Sequence, residues 1–217
     1  MSLRRYVIGA SCSIALLLAA PFHASHAQEV PGCGDLENSY GPFDYRDPLA
    51  RSQKLRVVED YHFTRDVQSL QRGASGSVIT DLDYTLRAFP NHIRALAVLS
   101  KYALQGGGFL DTIGSAECYF LRALAFTPDD AAVHLVFGNY LYKRKKLNEA
   151  REQYEEAVRL DPQSPEISYN AGLYFLEVGE IDKARELAKI AYDQDYPLPG
   201  LKNRLAAAEA AAAGKKK

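Results

Sequence analysis

An all-α solenoid of stacked helical hairpins is the fold this 217-residue chain predicts. Three observations carry it. Gly138, Leu147, Ala150 and Ala157 recur 34 residues later as Gly172, Ile181, Ala184 and Ala191. Ala116, Phe120, Ala123 and Pro128 recur at the same interval as Ala150, Tyr154, Ala157 and Pro162, so one period links three consecutive segments. Within the segments, apolar residues fall at helical spacing, as in Ile79, Leu82, Leu86 and Phe89. A period of this length marks units that bury their apolar faces against one another rather than alone.

The residues Gly138-Asn139-Tyr140-Leu141, Ala150 through Ala157 (AREQYEEA) and Leu160-Asp161-Pro162 resemble the tetratricopeptide repeat (TPR), a helix-turn-helix unit. The resemblance implies a right-handed superhelix and a protein or peptide partner. It covers roughly residues 91–198. The stretch from Cys33 through Gly41-Pro42-Phe43-Asp44-Tyr45 and on to Asp83-Tyr84-Thr85-Leu86-Arg87-Ala88-Phe89-Pro90-Asn91-His92 is similar to exported proteobacterial TPR proteins.

Residues 1–27 have the layout of a secretory signal peptide. Arg4 and Arg5 precede an apolar stretch from Tyr6 to Ala20, and Ser25-His26-Ala27 ends it, with cleavage expected before Gln28. A lipoprotein signal at Cys12 is the rival; the short apolar run before it and Gly9 three residues upstream speak against it. No later apolar run is long enough to span a membrane, so the expected product is soluble in the periplasm or outside the cell. Removing Arg4 and Arg5 takes the formal charge from −1 to −3, which gives no reason to expect nucleic acid. Lys215-Lys216-Lys217 reads as a solvated tail. Cleavage leaves Cys33 and Cys118, which in an oxidising compartment read as one long-range disulfide stapling the N-terminal segment to the helices.

Residues 28–58 are rich in turn formers and read as an irregular arm. Its aromatics Tyr40, Phe43 and Tyr45 either pack on the first helices or present a binding strip. The helical domain spans 59–217. It opens with a degenerate hairpin, 59–90, whose first helix is marked by Val67 and Leu70 and whose turn is Gly73-Ala74-Ser75-Gly76. The unit 91–130 follows, stretched to 38 residues between Pro90 and Pro128 by a turn containing Gly106-Gly107-Gly108. Two regular repeats, 131–164 and 165–198, have small residues where helices cross, so Gly138→Leu is expected to unfold the array by overpacking. Residues 201–213, with seven alanines, form a capping helix.

Catalytic chemistry has little support. His62, His92 and His134 are scattered, and no HExxH, CxxC, Gly-x-Ser-x-Gly or phosphate-loop pattern is present. Asp81 and Asp83, two apart on a helix, diverge and read as helix-start carboxylates; Asp129-Asp130 and Glu155-Glu156 read as exposed helix and cap residues. Neither a cofactor nor a metal is expected. The TPR resemblance implies a concave groove lined by first helices, here Leu135, Asn139, Tyr142 and Lys143, then Glu166, Tyr169, Asn170, Leu173 and Glu177, with Arg204 from the cap. TPR domains that hold a C-terminal carboxylate use two asparagines and several basic residues; Asn139, Asn170 and Arg204 fall at such positions, while Leu135 and Gly200 replace other basic ones. The expected role is an adaptor that binds without catalysis. A structural accessory of an envelope assembly, using the arm or convex face, and a non-catalytic regulator of an envelope enzyme are the alternatives.

Overall fold

The computed structural model describes residues 30–111 and 114–214, so the signal-peptide reading, Cys12 and the lysine tail lie outside the described residues. The first helical stretch is continuous: α1 (Pro48–Ala50), a π-helical turn (Arg51–Leu55) and α2 (Arg56–His62). A single turn, α3 (Arg65–Gln68), leads to α4 (Val78–Ala88), α5 (Ile93–Leu104) and α6 (Ala116–Phe126). Then come α7 (Ala131–Lys143), α8 (Leu147–Leu160), α9 (Pro165–Glu177), α10 (Ile181–Tyr192) and α11 (Gly200–Gly214).

Local chemistry sets the helix starts. Ser77, Ser115 and Ser164 each accept a backbone N–H three residues on, Asp130 accepts from Ala132 and Val133, and Pro165 opens α9. The pairs α7–α8 and α9–α10 are tight antiparallel hairpins, and α5, α7, α9 and α11 stack on one another along the array. Ala150, Ala157, Ala184 and Ala191 are fully buried at the crossings. The two repeat glycines solve different problems. A Cβ on Gly138 would lie 3.3 Å from the Tyr154 ring of its own hairpin, whereas one on Gly172 would lie 2.6 Å from Leu201 of α11. Gly172 is therefore the seat of the cap, which buries Leu201 and Leu205 there.

Two sequence expectations are corrected at the N-terminal end. The arm is irregular only as far as Asp47, because Asp47 caps Pro48 and the helix then runs through to His62. Gly, Pro and Asp upstream mask this start, and the π turn disturbs the spacing of Leu55 and Val58, the buried face. The helix that pairs with α4 is accordingly α2, while Val67 belongs to one short turn and Leu70, at φ 62°, lies beyond it.

The arm packs rather than projecting. Tyr40 and Phe43 have ring centroids 5.2 Å apart, and Phe43 lies 5.4 Å from Phe89. Phe43 N–H donates to Ala88 O (2.8 Å), and Tyr45 N–H donates to Asn91 Oδ1 (2.8 Å). Buried Asn91 donates in turn to Asp44 (2.7 Å) and Asp130 (2.9 Å), joining arm, α5 and α7. Asp130 is thus a buried cap, not an exposed one. Cys33 and Cys118 form a disulfide with Cα atoms 5.1 Å apart. One turn on, buried Arg122 donates through Nη1 to the carbonyls of Cys33 (3.3 Å), Gly34 (3.1 Å) and Asp35.

Asp81 is a further correction. Fully buried, its carboxylate accepts from Ala74 N (2.6 Å), Ser75 N (3.2 Å), Ser75 Oγ (2.5 Å) and His62 Nδ1 (3.0 Å), holding the glycine turn against α2 and α4. Burial works to raise its pKa but is outweighed by these donors, so the group is held below its ordinary 3.8. A carboxylate with a lowered folded pKa contributes stability that is present above its unfolded value and lost as pH falls through the folded one. The stability gap between the protein and Asp81→Asn is therefore expected to hold constant above about pH 5 and to narrow below about pH 4. Urea midpoints across that range measure it; a gap that widened on acidification would reverse the assignment.

Candidate peptide-binding groove

The first helices α5, α7 and α9 place one side of each hairpin along a common concavity, closed at one end by α11. The resulting cavity encloses about 510 Å³. Asn139, Tyr142, Lys143, Glu166, Asn170, Leu173 and Arg204, all expected from sequence, line it together. Glu177 stands beside it and pairs with Arg204. Leu135 and Tyr169, equivalent positions one repeat apart, do not belong to it. They are 5% and 8% exposed, packed into the core rather than facing the cavity; Tyr169 stacks on Tyr196 (4.8 Å) and abuts Gly200.

Sequence reasoning missed the contribution of α5, which supplies Ile93, Arg94, Ala97 and Ser100. The long turn after α5 breaks the 34-residue register and hides the equivalence. It also missed Tyr154, which lies on a second helix. The ring passes across the bare backbone of Gly138, and its OH donates to Asn139 Oδ1 (2.7 Å). Burial pushes the Tyr154 phenol far up, so it stays protonated as that donor. Tyr174 stacks on it at 4.7 Å and donates to Leu147 O (2.8 Å). Tyr140 is pushed up to about 12 by burial, then by Glu117, to whose carboxylate it donates (3.1 Å). Asn170 Nδ2 donates to the carbonyl of Glu166 (2.9 Å). The groove floor is thus made of phenols and amides fixed by the fold, with Ile93, Ala97, Val136 and Leu173 as apolar surface.

His62, His92 and His134, scattered in sequence, each acquire a partner. His62 meets Asp81, His92 Nε2 meets Glu59 (3.0 Å), and His134 Nδ1 meets Gln153 (2.8 Å). Ser75, His62 and Asp81 converge, yet serine and carboxylate both approach the same ring nitrogen, Nδ1. A relay needs one at each nitrogen, so this cluster is a structural pin. Among the described residues, no three His, Cys, Asp or Glu side chains group as a metal-ligand set.

Consecutive antiparallel hairpins of one period, stacked through their first helices and closed by a cap, decide the architecture, and the TPR repeat family model matches residues 138–179. The chain has the fold of a tetratricopeptide-repeat solenoid. Among solved structures, PilF of Pseudomonas aeruginosa is similar at 21% identity with a TM-score of 0.50, covering 73% of this chain and 67% of that one, a likeness of fold. The Hsp70-Hsp90 organising protein of Plasmodium falciparum is 36% identical over 63 residues, which is 29% of this chain. Protein O-mannosyl-transferase TMTC3 of Mus musculus is 24% identical over 128 residues, or 58% of this chain. The chain spans only 11% and 14% of the lengths of these two relatives. Among the described residues of this TPR array, no helix is long and apolar enough to cross a membrane.

Proposed function

We propose that this TPR protein is a non-catalytic adaptor that holds a protein or peptide partner in its concave groove, and that it works in the periplasm or outside the cell. The observation that carries the reading is the convergence of three successive first helices and the cap on one cavity lined by amides, phenols and apolar side chains. Tyrosines offer contact area at low entropy cost, and asparagines both donate to and accept from a peptide main chain. The TPR fold supports a protein-binding role, as does the likeness to a relative whose name describes an organiser of two other proteins. The Cys33–Cys118 disulfide supports an oxidising compartment. TMTC3 is named for a transferase activity, but the match covers 14% of it, and no such chemistry is carried over here.

Asn139→Ala combined with Asn170→Ala is expected to lose the partner while keeping full helicity, since both side chains are partly exposed on the groove and neither fills the core. Cross-linking in intact cells, with mass spectrometry of what co-purifies with the tagged protein and with the double variant, measures this. Partners retained equally by both would move function away from the groove. A specific observation favours one alternative site: Leu49, Val57 and Tyr61 are 60%, 47% and 66% exposed on the first helical stretch. A structural accessory of an envelope assembly would use that face, and its partners would survive the double substitution.

A further inference from the structure

We infer that the groove takes a chain-internal peptide segment rather than a free C-terminal carboxylate, and that Glu177 is the residue that sets this preference; the inference rests on the groove being the docking surface. Amides and cations converge in this cavity, an arrangement that by itself would suit a carboxylate. The charges, however, are already balanced. Arg204, the cation at the cap end, is held by Glu177. Arg94, at the other end, lies 3.6 Å from Glu59 and donates to Gln68 Oε1 (2.5 Å). Lys143 and Glu166, which have no ion-pair partner among the described residues, line the cavity with one charge of each sign. Three cations thus face three carboxylates, so an incoming carboxylate meets no net positive charge, and it must compete with Glu177 for Arg204.

The two asparagines complete the selection. Asn139 has its oxygen occupied by the Tyr154 phenol, which leaves Nδ2 to donate toward the cavity. Asn170 spends an Nδ2 proton on the Glu166 carbonyl, which leaves Oδ1 to accept. Together they offer donors and an unoccupied acceptor, which match the C=O and N–H of a main-chain amide, whereas a carboxylate, having only acceptors, leaves Asn170 Oδ1 unmatched. The occupant that fits is an extended segment with apolar side chains against Ile93, Ala97, Val136 and Leu173, its terminus elsewhere.

The test uses the full mature protein, immobilised, and one mixture of short randomised peptides, N-acetylated throughout and synthesised once as free acids and once as C-terminal amides. The wild-type protein is expected to retain the two pools equally, and the Asn139→Ala/Asn170→Ala variant to retain neither. Glu177→Gln frees Arg204 and should shift retention about twofold to fivefold toward acids, the scale of one exposed ion pair. Adding Arg204→Ala to Glu177→Gln should abolish that shift. A wild-type preference for acids overturns the inference while leaving the groove reading intact, and an unchanged ratio in Glu177→Gln overturns the role of Glu177. Retention of neither pool by the wild type overturns both readings. Because Glu177 is exposed and at the end of α9, the variant keeps its fold, which a thermal melt checks.

Discussion

Gly138→Leu is expected to lower the stability of the array by about 3 kcal/mol or more, the upper range for overpacking a core. The alanine variant isolates the reason. A Cβ at this position would already sit 3.3 Å from three atoms of the Tyr154 ring, tighter than most carbon contacts but tolerable if the ring yields slightly. Alanine also gains roughly 1 kcal/mol of helix propensity over glycine, so Gly138→Ala should be close to neutral. Leucine adds three more carbons in the direction of that ring. Tyr154 is 2% exposed, stacked against Tyr174 and hydrogen-bonded to Asn139, so it has nowhere to go without opening the α7–α8 hairpin. Against a typical total of about 5–15 kcal/mol, the loss is large. Urea unfolding followed by circular dichroism measures it, and a Gly138→Leu midpoint equal to that of the alanine variant would refute the packing account. The same substitution should also disturb the groove, because the ring it displaces orients Asn139.

Reducing the Cys33–Cys118 disulfide is the second large effect. The two cysteines are 85 residues apart, and the chain-entropy model assigns a cross-link closing a loop of that size about 4 to 5 kcal/mol. The structure adds a local consequence. Arg122 is 1% exposed, and its Nε and Nη2 have no hydrogen-bond partner, so the arm carbonyls of residues 33–35 are what its guanidinium holds. Burial and then the charge of Arg87 lower its pKa. Releasing the arm leaves a buried cation with fewer partners still, which makes the loss larger than loop entropy alone. The Asn91 bridge to Asp44 and Asp130 keeps the later part of the arm in place, so the opening should be confined to residues before Phe43. Urea midpoints with and without a dithiol reductant, paired with hydrogen exchange of residues 30–42, test both parts. Coincident midpoints would show that the staple contributes nothing.

The regular repeats were legible because their logic is local and periodic. A glycine and small alanines at fixed intervals, with serine, aspartate and proline at the helix starts, specify hairpins whose partner is the next element in the chain. The degenerate opening was not, because no period marks it. A π turn displaced Leu55 and Val58 from regular spacing, and Asp47 as a cap was hidden among other turn formers. Asp81 shows the same limit at one residue. Its sequence position suits a helix start, which it occupies, but its role comes from His62 and the glycine turn folding onto it.

In the groove, the period along α7 and α9 identified which residues share a face but not which of them reach solvent. Leu135 and Asn139 are one helical turn apart on the same side, and only stacking of the neighbouring hairpins buries the first and leaves the second on the cavity. The pairings Tyr154–Asn139 and Glu177–Arg204 each join residues from different helices, 15 and 27 positions apart. Sequence by itself therefore determined the helical hairpins, their period and the cysteine pair, because those depend on neighbours within one repeat and on residue chemistry. The tertiary structure alone decided the arm's path, the buried carboxylate and the charge balance of the groove, because those depend on distances that exist only once separate units have packed.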